Sequence, residues 1–174
     1  MKKTIPLTLF LLSFAGLTQA ATVNYLQLRN GVAYQINKET PFTGEFEQKY
    51  DNGQKAVEVT YKNGKENGVA TKWYYNGQKI SETHYKDGKT EGLVTEWYKN
   101  GQKSEQLTFK NGKQDGPQTE WYMNGQKRII ANYEQGKHSD GVMTGWFKNG
   151  KKHLEVTYKN GKEVSREYWT LAQS

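Results

Sequence analysis

A mainly apolar run from Ile5 to Leu17 opens the chain, and beyond it apolar and polar positions alternate in short segments interrupted by turn residues. Alternation with a period of two predicts half-buried β-strands, and Asn-Gly between two such segments predicts a hairpin. Segments such as Val69 to Tyr75 and Lys79 to Lys86 have the length of ordinary strands. No later run approaches the ~20 apolar residues that a membrane-crossing helix needs.

The segments repeat. Asn-Gly-Gln-Lys begins at Asn52, Asn76, Asn100 and Asn124, and Asn-Gly-Lys-Lys at Asn149, with spacings of 24, 24, 24 and 25. A second turn keeps step at Asn63-Gly64, Asp87-Gly88, Asn111-Gly112, Gln135-Gly136 and Asn160-Gly161, trailed by Gly68, Gly92, Gly116 and Gly141 in the first four copies. A two-residue type I′ turn needs positive φ at both centres, which Asn-Gly tolerates, so the first turn is expected to be the tight one. The second, with glycines at two points, is expected to be a looser loop ending in a left-handed residue. The one extra residue falls in Lys137-His138-Ser139-Asp140, read as a turn that leaves strand register undisturbed. The fold class that follows is all-β: an elongated, twisted antiparallel sheet of tandem 24-residue hairpins.

Aromatic residues fall into columns at Trp73, Trp97, Trp121 and Trp146, at Tyr74, Tyr98, Tyr122 and Phe147, and at Tyr61, Tyr85, Phe109, Tyr133 and Tyr158. Neighbouring residues on a strand point opposite ways, so the Trp and Tyr columns belong to opposite faces. With a two-residue turn, Tyr74 shares an apolar face with Thr83 and Tyr85, while Trp73 shares a mixed one with Thr71, Ile80, Glu82 and His84. Lys79, Lys103 and Lys127, just after the turns, are expected to form a basic rim along one edge.

Lys2 and Lys3 before the first apolar run, with Thr18 and Ala20 closing it, give residues 1–20 the layout of a secretory signal peptide. Export to the periplasm or the medium is the expectation. Residues 21–40 read as an N-terminal capping hairpin around Asn30-Gly31, residues 41–162 as the tandem repeats, and residues 163–174 as a degenerate capping strand and tail.

Charge and chemistry narrow the function. The formal net charge is +7, and loss of Lys2 and Lys3 would lower it by two. The remaining cations are spread among glutamates rather than gathered into a nucleic-acid stripe, so no nucleic-acid partner is expected. Without cysteine there is neither a disulfide nor a thiol nucleophile. His84, His138 and His153 lie in different repeats, and consecutive His138, Ser139 and Asp140 cannot align as a triad. Pairs such as Glu45 and Glu47, or Glu58 and Glu82, read as solvated strand faces. We therefore expect no catalytic residue, no metal and no cofactor. The chemistry that remains is a partner-binding surface of Trp73, Trp97, Trp121 and Trp146 with Lys79, Lys103 and Lys127.

The blocks Trp73-Tyr74-Tyr75-Asn76-Gly77-Gln78-Lys79 and Tyr85 to Gly92, with their copies, resemble the MORN (membrane occupation and recognition nexus) repeat in its bacterial variant form over about residues 41–162. Pro41-Phe42-Thr43-Gly44 resembles the start of the YwqK-like antitoxin family of toxin-antitoxin systems. The resemblance implies interaction rather than catalysis, with a protein partner such as a toxin. An anionic lipid or glycan surface is the alternative partner, and a homodimer is a further form the array could take.

Overall fold

The computed structural model describes residues 21–23 and 25–170, so the expected signal peptide and the last four residues of the tail lie outside the described residues. The strands are β1 (Ala21–Val23), β2 (Gln27–Arg29), β3 (Val32–Tyr34), β4 (Gly44–Lys49), β5 (Lys55–Lys62), β6 (Lys65–Trp73), β7 (Lys79–Lys86) and β8 (Lys89–Trp97). They continue as β9 (Lys103–Lys110), β10 (Lys113–Trp121), β11 (Lys127–Glu134), β12 (Lys137–His138), β13 (Gly141–Trp146), β14 (Lys152–Lys159) and β15 (Lys162–Tyr168). From β4 onward successive strands pair antiparallel in one 13-stranded sheet, except that β11 pairs with both β12 and β13 and β12 lies off the main path. The twelve strands of that path, at ~4.8 Å each, make a ribbon of about 50 Å.

The two turns exchange the roles the sequence suggested. At Asn63-Gly64 both centres have positive φ, 51° and 75°, and Lys62 pairs with Lys65, which is a two-residue type I′ turn. Asp87-Gly88, Asn111-Gly112, Gln135-Gly136 and Asn160-Gly161 repeat it. At Asn76-Gly77 only the glycine is left-handed, with φ 83°. Tyr74 N donates to Gln78 O at 2.7 Å and Gly77 N to Tyr74 O at 2.9 Å, closing a three-residue loop of Tyr75, Asn76 and Gly77. The side chain of Asn76 explains the difference. Its Oδ1 accepts from Gln78 N at 3.2 Å, which holds Asn76 out of the left-handed region and leaves positive φ to Gly77.

The trailing glycines are likewise displaced from the loops to the interior of strands. Glu66 pairs with Tyr61 and Ala70 with Val59, so Asn67, Gly68 and Val69 bulge opposite Thr60 alone. The extra residue of the fifth repeat enters this bulge rather than a turn. There the strand breaks into β12 and β13, with Tyr133 facing His138 and Ile130 facing Thr144.

Both edges of the ribbon lock each repeat to the next. On one edge, Tyr50, Tyr74, Tyr98 and Tyr122 donate their hydroxyls to the backbone oxygens of Trp73, Trp97, Trp121 and Trp146, at 2.6, 3.1, 2.7 and 2.7 Å. On the other, Thr43, Glu91, Asp115 and Asp140 accept from the backbone N–H groups of Asn63, Asn111, Gln135 and Asn160, twenty residues further on. A repeat array is stabilised mainly by such contacts between neighbours.

The largest apolar cluster lies at the N-terminal end. Val23, Leu26, Ala33, Phe42, Phe46 and Val59 are all buried there. It is β1, running parallel to β4, that covers the first edge of the sheet, whereas the β2–β3 hairpin contributes Ala33 to the cluster. At the far end every residue of β15 is exposed. Its outer side carries no strand among the described residues.

A candidate interaction surface on the tryptophan face

The position of the tryptophan and lysine columns follows from the three-residue turn. Lys72 pairs with Ser81 but Trp73 with Lys79, so Ile80 is the bulged residue and Lys79, not Ile80, stands opposite Trp73. The same step pairs Trp97 with Lys103, Trp121 with Lys127 and Trp146 with Lys152. The lysines therefore interleave with the tryptophans on the sheet instead of forming a separate rim. Four lysines of this column, though not Lys127, reach the next ring along. Lys55 Nζ lies 5.8 Å from the ring centroid of Trp73, Lys79 Nζ 5.5 Å from Trp97, Lys103 Nζ 5.9 Å from Trp121 and Lys152 Nζ 5.0 Å from Trp169. Exposed contacts of this type contribute ~0.5–1 kcal/mol each.

Carboxylates three residues along the strand complete the pattern at some rungs. Lys55 is paired with Glu58 and Glu47, Lys79 with Glu82, and Lys152 with Glu155 at 2.7 Å. The corresponding residues after Lys103 and Lys127 are Gln106 and Ile130. Gln106 donates to Thr95 Oγ1 at 3.2 Å. Among the described residues, no carboxylate lies within ion-pair distance of Lys103 or Lys127.

Register places Glu58, Thr71, Glu82, Thr95, Gln106, Thr119, Ile130, Thr144 and Glu155 in one row beside the tryptophans. The sequence reading missed Lys55, Lys152, Trp169 and the carboxylate partners. The recoverable signal was Lys-x-x-Glu at Lys55, Lys79 and Lys152.

The opposite face bears the mainly aliphatic row Val59, Ala70, Thr83, Val94, Leu107, Gln118 and Ala131, interrupted by Thr83 and Gln118. Beside it Glu96, Glu105 and Glu120 stand directly across from one another on three adjacent strands. Arg128 pairs with Glu120, and Gln118 Nε2 donates to Glu105 at 2.8 Å. Burial first, and then the charge of Glu120, hold the Glu105 carboxyl above its ordinary range. A carboxyl raised in the folded state stabilises the fold below its unfolded pKa, and that contribution is lost as pH rises through the folded value. Glu105→Gln is therefore expected to raise the urea midpoint at neutral pH, with the gain vanishing at acid pH. An equal gain at both pH values would contradict this origin.

The other sequence candidates do not converge. His138 is sandwiched between the rings of Tyr133 and Tyr158, with centroids at 4.4 and 4.1 Å, and burial lowers its pKa. Ser139 Oγ accepts from Asn132 Nδ2 at 2.9 Å, and Asp140 caps the turn at Asn160. Among the described residues, no three His, Asp or Glu side chains are placed to hold a metal ion.

Comparison with curated proteins finds no match. The family model for the MORN repeat variant matches five successive segments, residues 42–63, 66–87, 90–111, 114–135 and 139–160. Each of the second to fourth segments runs from a bulged strand, through the three-residue turn, to the first centre of the type I′ turn. Since these matches cover more than half of the chain, the protein belongs to the MORN repeat variant family.

Proposed function

We propose that the chain is an exported, non-enzymatic scaffold that binds a partner protein through its tryptophan face. Proteins built of MORN repeats are generally not enzymes. The observation that carries the reading is the column of rings and ammonium groups from Lys55 to Trp169, in contact at every rung but that of Lys127 and Trp146, since tryptophan is among the residue types that dominate protein contacts. The resemblance of Pro41 to Gly44 to an antitoxin family supports a toxin as that partner, in an immunity-type role. Residues 1–20, with the layout of a signal peptide, support export.

The test is affinity capture from a periplasmic extract with the mature chain, in parallel with a Trp97→Ala/Trp121→Ala variant of unchanged circular dichroism. One stoichiometric protein retained by the parent chain and lost by the variant is the expected result. Retention of none, or equal retention by both, overturns the reading. The alignment of the lysines with the rings favours a second reading, an anionic lipid or glycan surface. That reading predicts salt-sensitive co-sedimentation with anionic liposomes or peptidoglycan, weakened in the same variant.

A further inference from the structure

The repeats are not electrostatically equal along the tryptophan face. At Lys55, Lys79 and Lys152 the ammonium group is neutralised by a carboxylate of its own strand. Between these rungs lie Lys103 and Lys127, whose strands offer Gln106 and Ile130 instead. On β8 to β13 the residues that register places beside the tryptophans on this face are Thr95, Gln106, Thr119, Ile130 and Thr144, together with the rings of Trp97, Trp121 and Trp146 themselves. None carries a negative charge. The acids nearest to them on the same strands, Glu96, Glu105 and Glu120, stand across from one another on the other face. Along the half of these strands that carries the tryptophans, charge is thus segregated through the thickness of the sheet, with the cationic side centred on Trp121.

Resting on the reading of this face as the protein-binding one, we infer that its middle, from Trp97 to Trp146, is a docking site for an acidic segment of the partner in polyproline II conformation. Lys103 and Lys127 occupy equivalent places in successive repeats, two strand spacings or about 9.6 Å apart. A polyproline II strand rises ~3.1 Å per residue with three residues per turn, so residues i and i+3 lie on one side about 9.3 Å apart. Carboxylates at every third position then meet successive lysines along the ladder. In an ordinary β-strand, residues i and i+3 point opposite ways and cannot do so. The intervening ring faces, Trp121 above all, suit the proline rings or aliphatic stems between the acids, since aromatic-lined grooves receive the preformed polyproline II helix. At the other rungs the chain's own glutamates already occupy the ammonium groups, which confines the contact to the middle.

The test uses the full mature chain and a fluorescein-labelled peptide repeating Glu-Pro-Pro, with fluorescence anisotropy at low salt. Gln106→Glu restores the missing carboxylate beside Lys103, and Lys127→Gln removes the other unpaired cation. Each is expected to weaken binding about fivefold, the scale of one exposed ion pair. Lys86→Gln, at the opposite edge of the sheet, is expected to change it less than twofold. A Gln-Pro-Pro peptide is expected not to bind.

No binding of the Glu-Pro-Pro peptide, binding indifferent to both substitutions, or equal binding of the Gln-Pro-Pro peptide overturns the proposal. So does preferential retention on phosphatidylglycerol vesicles with the same dependence on Lys127. Self-association in sedimentation velocity that disappears in Lys127→Gln also overturns it, because a second copy would then be the occupant. Capture of a stoichiometric partner unaffected by either substitution overturns this assignment and leaves the wider binding function standing. Peptide binding by a chain that captures no protein supports the surface chemistry while overturning the wider reading.

Discussion

Phe46→Ala is expected to lower the free energy of unfolding by about 3–5 kcal/mol, the range for deleting a buried aromatic ring, and to do so at one end of the ribbon only. Phe46 is 7% exposed and belongs to the cluster of Val23, Leu26, Ala33, Phe42 and Val59. It pairs with Val23 on one side and Val59 on the other, so its ring lies beneath both the parallel strand that covers the edge and the first hairpin. Three backbone hydrogen bonds of 2.7–2.8 Å tie Ala33, Phe42 and Gly64 together around it. Loss of the ring leaves a cavity that this rigid frame cannot close. Stability in an array of repeats is roughly a sum of local and nearest-neighbour terms, so the damage should fade within a repeat or two. Hydrogen exchange by mass spectrometry distinguishes the cases. Protection is expected to fall across β1, β4 and β5 and to persist from β9 to β14. A uniform loss along the sheet would show one cooperative unit instead.

What could be read in the sequence was the part decided by neighbours in the chain. Asn-Gly between alternating segments marks a reversal whatever lies around it, so the beat of 24 residues, and with it the all-β array, was visible in one sequence. The type of each reversal was not visible. Two Asn-Gly pairs with similar flanks differ because Asn76 binds Gln78 N with its side chain, while Asn63 takes a left-handed φ of 51° and leaves its N–H to Thr43, just ahead of β4. The second contact spans twenty residues, beyond the reach of turn statistics.

The register of the candidate surface was hidden for the same reason. One bulged residue, Ile80, moves Lys79 from a rim to a place opposite Trp73. A bulge of this kind reflects the fit of a whole hairpin rather than the preference of its residues. Once the register is known, the exceptional rungs can be read from the letters alone, as Gln106 and Ile130 where Glu58, Glu82 and Glu155 stand elsewhere.

Gly116→Val is expected to destabilise the middle of the ribbon by about 2–3 kcal/mol, the scale of strain at a backbone conformation reserved for glycine. Gly116 has φ 123°, directly across from Tyr133, in the bulge where β10 departs from β9. A Cβ there would lie 3.0 Å from Thr108 Cβ and 3.2 Å from its Cγ2, so strain and collision act together. Gly145, which has no positive φ and would place its Cβ an ordinary 3.4 Å from Leu154 Cβ, serves as the control. Gly145→Ala is expected to shift stability by less than about 1 kcal/mol. The two causes at Gly116 separate in a double-mutant cycle, since Thr108→Gly removes the collision and leaves φ unchanged. If Gly116→Ala costs as much in the Thr108→Gly background as in the parent chain, the backbone angle sets the requirement for glycine. If the cost falls away, crowding by Thr108 sets it, and Gly141, where a Cβ would meet nothing within 4 Å, should then accept alanine freely. Urea denaturation of the six variants decides between these outcomes.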